Sequence, residues 1–161
     1  MNCMIIIELK EREDISENVK LSRIYIQFQE LLKELRKKEL PDKIIEFVNQ
    51  DIEDINSTSF TGNELRKLVK QKQDKIIKLL EKELKIVPKG YYQNHWVASG
   101  MCLGVAFGIL FSSMDIFGSI AFGISIATGF SIGLGMTIGY VTGSRIDKKA
   151  LKEGRQLDVK I

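Results

Sequence analysis

His95 is the single histidine of this 161-residue chain, so general acid–base or metal chemistry built on imidazole would have to start there. It stands among Tyr92, Gln93, Asn94 and Trp96 with no acid or cysteine beside it. A catalytic or metal-bound histidine needs such partners, and this one reads as a hydrogen-bonding residue at an interface. The sequence has no Cys-x-x-Cys and no His-Glu-x-x-His. Cys3 and Cys102 lie far apart, one near the start of the chain and one inside an apolar helix, which predicts two free thiols in a reducing compartment. Carboxylates gather at Glu11, Glu13 and Asp14, and again at Glu53 and Asp54, on charge-dense segments where a solvated face is the simpler reading. Gly133-x-Gly135-x-x-x-Gly139 lacks the spacing of a dinucleotide loop, and no strand precedes it. A phosphate loop ending in Gly-Lys-Ser or Gly-Lys-Thr is missing too. Neither a catalytic site, a metal nor a cofactor is expected.

The chemistry that these residues do support is close packing. Ten of the thirteen glycines fall between Gly100 and Gly143. Gly100, Gly104 and Gly108 recur every four residues, as do Ser131, Gly135, Gly139 and Gly143. Ala121, Ser125, Gly129 and Gly133 make a second small stripe. Residues four apart share a helix face, and a face without side chains lets two backbones approach closely enough for dispersion and weak Cα–H···O bonds. These are the candidate helix-packing or oligomerisation residues. One stripe suffices to join two helices, which leaves the other for a neighbouring copy.

The elements that must carry these glycines lie between Trp96 and Gly143, where Asp115 is the one charged residue. A single helix of that length would measure roughly 70 Å, more than twice the ~30 Å hydrocarbon core of a bilayer. The stretch is therefore expected to fold back at Ser112-Ser113-Met114-Asp115, where serines compete for backbone bonds and an aspartate is costly in lipid. That predicts a transmembrane hairpin over residues 91–144, with helices at about 96–111 and 117–141. Lys82, Lys85 and Lys89 precede it, and Arg145, Lys148, Lys149, Lys152 and Arg155 follow in a basic tail, 145–161. The turn has no basic residue, so the positive-inside bias puts both termini on the cytoplasmic side of a cell inner membrane. Tyr91, Tyr92 and Trp96 at the entry and Tyr140 near the exit, with Lys89, Arg145, Lys148 and Lys149, are the expected interface residues.

Residues 1–90 read as a cytosolic helical domain. The opening Met1–Glu8 has no basic n-region and too short an apolar run for a secretory signal. Val19, Ile24, Phe28, Leu31, Leu32 and Leu35 give an amphipathic helix over Ser16 to Glu39. Pro41 is placed to start a second helix with Ile44, Ile45, Val48, Ile52 and Ile55 inward. Thr61 and Glu64 have the spacing of a capping box for a third, whose stripe runs from Leu65 to Val87. Its interruption by Lys72 and Gln73 leaves a coiled coil open without requiring it. The basic face of this helix, from Arg66 to Lys85, predicts either solvated or bundle-paired surface or contact with lipid headgroups; no nucleic-acid motif accompanies it. Pro88-Lys89-Gly90 marks the boundary with the hairpin.

With Gly100/Gly104/Gly108 and Gly135/Gly139/Gly143, the hairpin resembles the glycine-zipper membrane proteins. The whole chain, with Asp147-Lys148-Lys149-Ala150 and Glu153-Gly154-Arg155-Gln156-Leu157, resembles small uncharacterised bacterial membrane proteins. The resemblance implies a bacterial inner-membrane setting and no activity. The expected fold is all-α, a helical bundle of about three helices followed by the hairpin. The expected function is that of a membrane anchor or homo-oligomeric scaffold, with the lipid bilayer and a cytosolic protein as partners. An oligomeric pore is the alternative, lined at best by serines and threonines, and a membrane-bound enzyme is the third reading.

Overall fold

A computed structural model of the chain describes residues 5–12, 15, 18–112 and 120–161, with 111, 112 and 120–128 as backbone alone. The described residues form five helices, α1 (Val19–Leu35), α2 (Asp42–Ser57), α3 (Gly62–Leu84), α4 (Tyr91–Ser112) and α5 (Ile120–Lys152), and two short strands, β1 (Val87–Pro88) and β2 (Gln156–Leu157). The fold is all-α. Two compact units divide the chain, residues 1–89 with 155–161, and residues 90–154.

In the first unit, α1 begins where the Asn18 side chain accepts the N–H groups of Lys20 and Leu21, at 3.1 and 3.2 Å. It runs shorter than the expected Ser16 to Glu39. Leu21, Tyr25, Phe28, Leu31, Leu32 and Leu35 are its buried face, while Val19 is 79% exposed. All five apolar residues expected of α2 are buried. Pro41 sits one residue before α2 as its N-cap, with the φ of −59° that its ring imposes. The capping box at α3 does not form. Thr61 makes no side-chain cap bond, because Gly62 takes a φ of +53° and breaks the extended-to-helical turn that the box requires.

Polar groups also join these helices. Lys72 of α3, expected on a basic surface, is 15% exposed and donates to Asp51 of α2 at 2.7 Å and to Asp54. Burial pushes the Lys72 ammonium down, but the hydrogen bonds and charges of Asp51 and Asp54 outweigh it and leave it above the ordinary lysine value. Lys75 lies 4.4 Å over the Phe47 ring and 3.5 Å from Asp51. Part of the basic face is thus paired within the bundle.

The leading segment, residues 5–12, takes no helix or strand. Side chains of α1, α2 and Arg12 itself hold it instead. Asn49 donates to the Ile5 carbonyl and accepts the Ile7 N–H, both at 2.9 Å. Asn56 does the same with the Glu8 carbonyl and the Lys10 N–H, at 3.0 and 2.9 Å. Arg36 reaches the Ile6 and Ile7 carbonyls, and Arg12 those of Thr58 and Phe60.

The last residues return to this unit. β2 pairs with β1 in parallel, Val87 opposite Gln156 and Pro88 opposite Leu157. Val87 and Lys89 donate to the carbonyls of Arg155 and Val159, both at 3.0 Å. The donors flank Pro88, so its missing N–H leaves no bond unmade. Residues 145–161, read from sequence as one tail, are therefore divided. Residues up to Lys152 continue α5, which ends before Gly154 at φ +67°, and those from Arg155 onward belong to the first unit.

The second unit is α4 packed on α5. Both helices outrun the expected bounds, α4 starting at Tyr91 and α5 continuing past Val141. Among the described residues no helix is long and apolar enough to cross a membrane. The polar first turns of α4, through His95, and the charged last turns of α5 shorten the apolar run, and side chains 111–128 lie outside those described. Of the expected break at Ser112–Asp115, Ser112 is the last residue of α4 and the rest lies outside the described residues.

Candidate functional site

The second unit is built around its glycines. A Cβ placed on Gly100 would fall on the carbonyl oxygen of Gly135 and 2.8 Å from its carbon, and one on Gly135 would fall on the Gly100 oxygen. Further along, a Cβ on Gly104 would lie 2.8 Å from the backbone of Ser131 and Ile132. One on Gly139 would lie 2.8 Å from the Trp96 carbonyl carbon and 3.0 Å from Val97 Cα, and one on Gly143 would lie 2.8 Å from Gln93 N and from Tyr92 O. As the α5 position rises by four, the α4 position falls by about four. The helices are antiparallel and joined along one seam, backbone against backbone. Gly108 is buried as well.

Gly129 and Gly133 do not join it. A Cβ on either would meet nothing within 4 Å, so the two stripes of α5 have different surroundings. The first lies between α4 and α5, and the described glycines of the second, Gly129 and Gly133, face open space. Thr137, beside the open stripe, donates to its own helix at the Gly133 carbonyl, 2.8 Å away.

The seam ends in a charge. Asp147 lies four residues beyond Gly143 and is buried. Its two oxygens accept the backbone N–H groups of Tyr92 and Gln93, at 3.2 and 3.0 Å. These are orphan donors in the first turn of α4, which contains no acid of its own. A carboxylate there also faces the positive end of the α4 dipole. Ser144 adds a bond to the Gln93 side chain at 3.4 Å. Sequence reasoning placed Asp147 only within the tail. Its signal was the four-residue spacing that runs Gly135, Gly139, Gly143, Asp147.

All the expected interface residues but Lys89 lie in this unit. Tyr91 is edge-on to Tyr92, with centroids 5.4 Å apart, and stacks on His95 at 6.4 Å. Trp96, Tyr140, Arg145, Lys148 and Lys149 are exposed. Lys89 belongs to the first unit and lies 3.7 Å from Asp158. Cys102 is a free, exposed thiol; Cys3 lies outside the described residues. Among the described residues no three His, Cys, Asp or Glu side chains are grouped to hold a metal.

Between their polar ends, α4 and α5 carry large apolar side chains outside the seam. Leu103, Phe107, Leu110, Phe130 and Ile138 are each between half and about 70% exposed. Leu103, Phe107, Leu134 and Ile138 flank a trough of about 410 Å³ floored by the seam glycines. The chain matches no protein-family model, no curated protein and no solved structure.

Proposed function

We propose that this protein is an integral membrane protein whose glycine-seamed hairpin anchors the helical first unit to a bilayer. One observation carries this reading. The glycines at 100, 104, 135, 139 and 143 lie between α4 and α5 while large apolar side chains point outward, the reverse of a helix pair stabilised by water. Exposed contiguous apolar surface of this extent marks a face meant for another apolar phase. In lipid the outer leucines and phenylalanines cost nothing, and close backbone packing supplies the association that hydrophobic burial cannot. The apolar residues of the segment 111–128 lengthen the run in sequence. β1 and β2 flank the hairpin in the chain, which sends both its ends to one side, and the flanking Lys and Arg favour the cytoplasmic side.

An anchor is favoured over a pore because Gly100, Gly104, Gly135, Gly139 and Gly143 are used between the two helices of one hairpin. Among the described glycines of α4 and α5, Gly129 and Gly133 are the ones left for a neighbouring copy. The test is fractionation of cells expressing the full chain in a Cys3→Ser background. The protein is expected in membranes, resistant to alkaline extraction. Cys102, about 17 Å along α4 from Tyr91, should resist maleimide until detergent is added. Recovery in the soluble fraction with a reactive Cys102 would overturn the reading.

A further inference from the structure

The hold on residues 5–12 has the form of a receptor for an extended chain. Asn49 bonds the carbonyl of Ile5 and the N–H of Ile7, bracketing Ile6. Asn56 bonds the carbonyl of Glu8 and the N–H of Lys10, bracketing Leu9. A residue on a parallel β-strand bonds its neighbour in this pattern, so each asparagine amide stands in for a strand partner. The bracketed residues are the buried ones, Ile6 at 5% and Leu9 at 7% exposure.

The spacing explains why the two brackets fall in register. Seven helical residues advance ~10.5 Å, and three extended residues advance ~10 Å. Two asparagines seven apart on α2 therefore read an extended chain, parallel to the helix, at every third residue. The amides touch backbone only. Sequence enters through two apolar anchors three apart, as in other strand-adding recognition.

We propose that this groove of α1 and α2 is a peptide-binding site, and that its occupant in trans is residues 5–12 of a second copy. The segment that satisfies every bracket and anchor is carried by each copy, so exchange between two chains remakes the same contacts. Occupancy in cis is favoured when the chain is dilute. Exchange gains as local concentration approaches the millimolar effective concentration of a tethered segment. All the contacts lie in the first unit, so the proposal stands independently of the membrane reading.

Complementary variants of the full chain in detergent provide the test. Ile6→Asp/Leu9→Asp disables the segment and leaves the groove, and Asn49→Ala/Asn56→Ala disables the groove and leaves the segment. Differently tagged, the two are expected to co-purify, and a synthetic peptide of residues 5–12 should release them. Pairing the groove variant with a chain carrying both sets of substitutions should return recovery to background, which separates this contact from any association of the hairpins. The same peptide, fluorescently labelled, should bind the segment variant, and adding Asn56→Ala should weaken that binding about tenfold. If Asp does not permit folding, Leu9→Ala with Ile6→Ala replaces it. Folded variants that neither co-purify above the control nor bind the peptide would overturn the proposal.

Discussion

The carboxylate of Asp147 accepts the backbone N–H of Gln93 at 3.0 Å, joining residues 54 apart in sequence. A helix ordinarily has its first turn capped by the residue just before it, and α4 is capped by its neighbour instead. Asp147→Ala should free two N–H groups at a part-buried helix start and cost about 1–2 kcal/mol. Asp147→Asn keeps an acceptor oxygen but loses the charge, and should cost less. Amide exchange at Tyr92 and Gln93 is the direct readout. Unchanged protection in Asp147→Ala would mean that this cap contributes nothing.

Lys72 and Asp51 make the second buried contact of charges. Asp51 is 2% exposed, and its Oδ2 has no hydrogen-bond partner. Lys72→Ala would remove the 2.7 Å partner of that carboxylate and leave Lys75, at 3.5 Å, as its remaining cation, which should cost about 1–3 kcal/mol in chemical denaturation. Lys72→Met with Asp51→Leu should recover most of it, because an apolar pair of similar volume removes both desolvation penalties. The pH dependence has a definite sign. The ammonium is held above the ordinary 10.5 in the folded chain, so its contribution is complete below that value. Stability should be insensitive to this group at neutral pH and fall in the alkaline range as pH rises through the folded value, more steeply than in Lys72→Met.

These contacts also show how far the sequence could be read. The helical period of Ile44, Ile45, Val48, Ile52 and Ile55 specified the buried face of α2, because an amphipathic stripe records burial directly. Helix ends were harder to read. The apolar run stops near Val141 and α5 does not, since loss of apolarity reports a change of surroundings and the backbone ladder ends only at Gly154, where φ is positive. Thr61 and Glu64 had capping-box spacing, but spacing does not reveal that Gly62 turns the chain between them. Asn49 and Asn56 were illegible. Each bonds the backbone of a segment more than forty residues away, and a polar side chain bonded to a remote backbone leaves no periodic trace; Asp147 continues the four-residue glycine spacing, which marks its face of α5 but not its partner. The four-residue glycine spacing did place the seam. It could not say which stripe of α5 would face α4.

Lys85 ends α3 in a left-handed conformation, φ 56°, the one described non-glycine residue with positive φ. The chain closes there through Lys85 N–H to the Glu81 carbonyl and Ile86 N–H to the Leu80 carbonyl, at 3.1 and 3.2 Å. Glycine is the usual residue at such a helix end, because a Cβ is crowded by the carbonyl. Lys85→Gly keeps both bonds and the 2.9 Å bond from Arg155 to the Lys85 carbonyl. It should stabilise the first unit by up to about 1 kcal/mol, seen as a higher midpoint in thermal unfolding. A lower midpoint would place the Lys85 side chain in a contact that outweighs the strain.

The two stripes of α5 make opposite demands on the same substitution. At Gly135 and Gly100 an added methyl would lie on the facing carbonyl oxygen. The atom in the way is backbone and cannot rotate aside, so each helix would have to move. Gly135→Ala and Gly100→Ala should each cost roughly 1–3 kcal/mol or more, as overpacking does in a close-packed interior. At Gly129 and Gly133 the same methyl meets open space, and its effect reduces to helix propensity, where alanine exceeds glycine by about 0.8–1 kcal/mol. Resistance to unfolding in detergent should therefore fall for the first pair and hold or rise for the second. Larger residues extend the contrast, because Gly129→Leu and Gly133→Leu should spare the hairpin and disrupt only what seats on its outer face. Oligomeric mass of the purified chain then separates two outcomes. A loss of mass with α4 and α5 still packed assigns the open stripe to a second copy, and an unchanged mass leaves it as outer surface that no second copy covers.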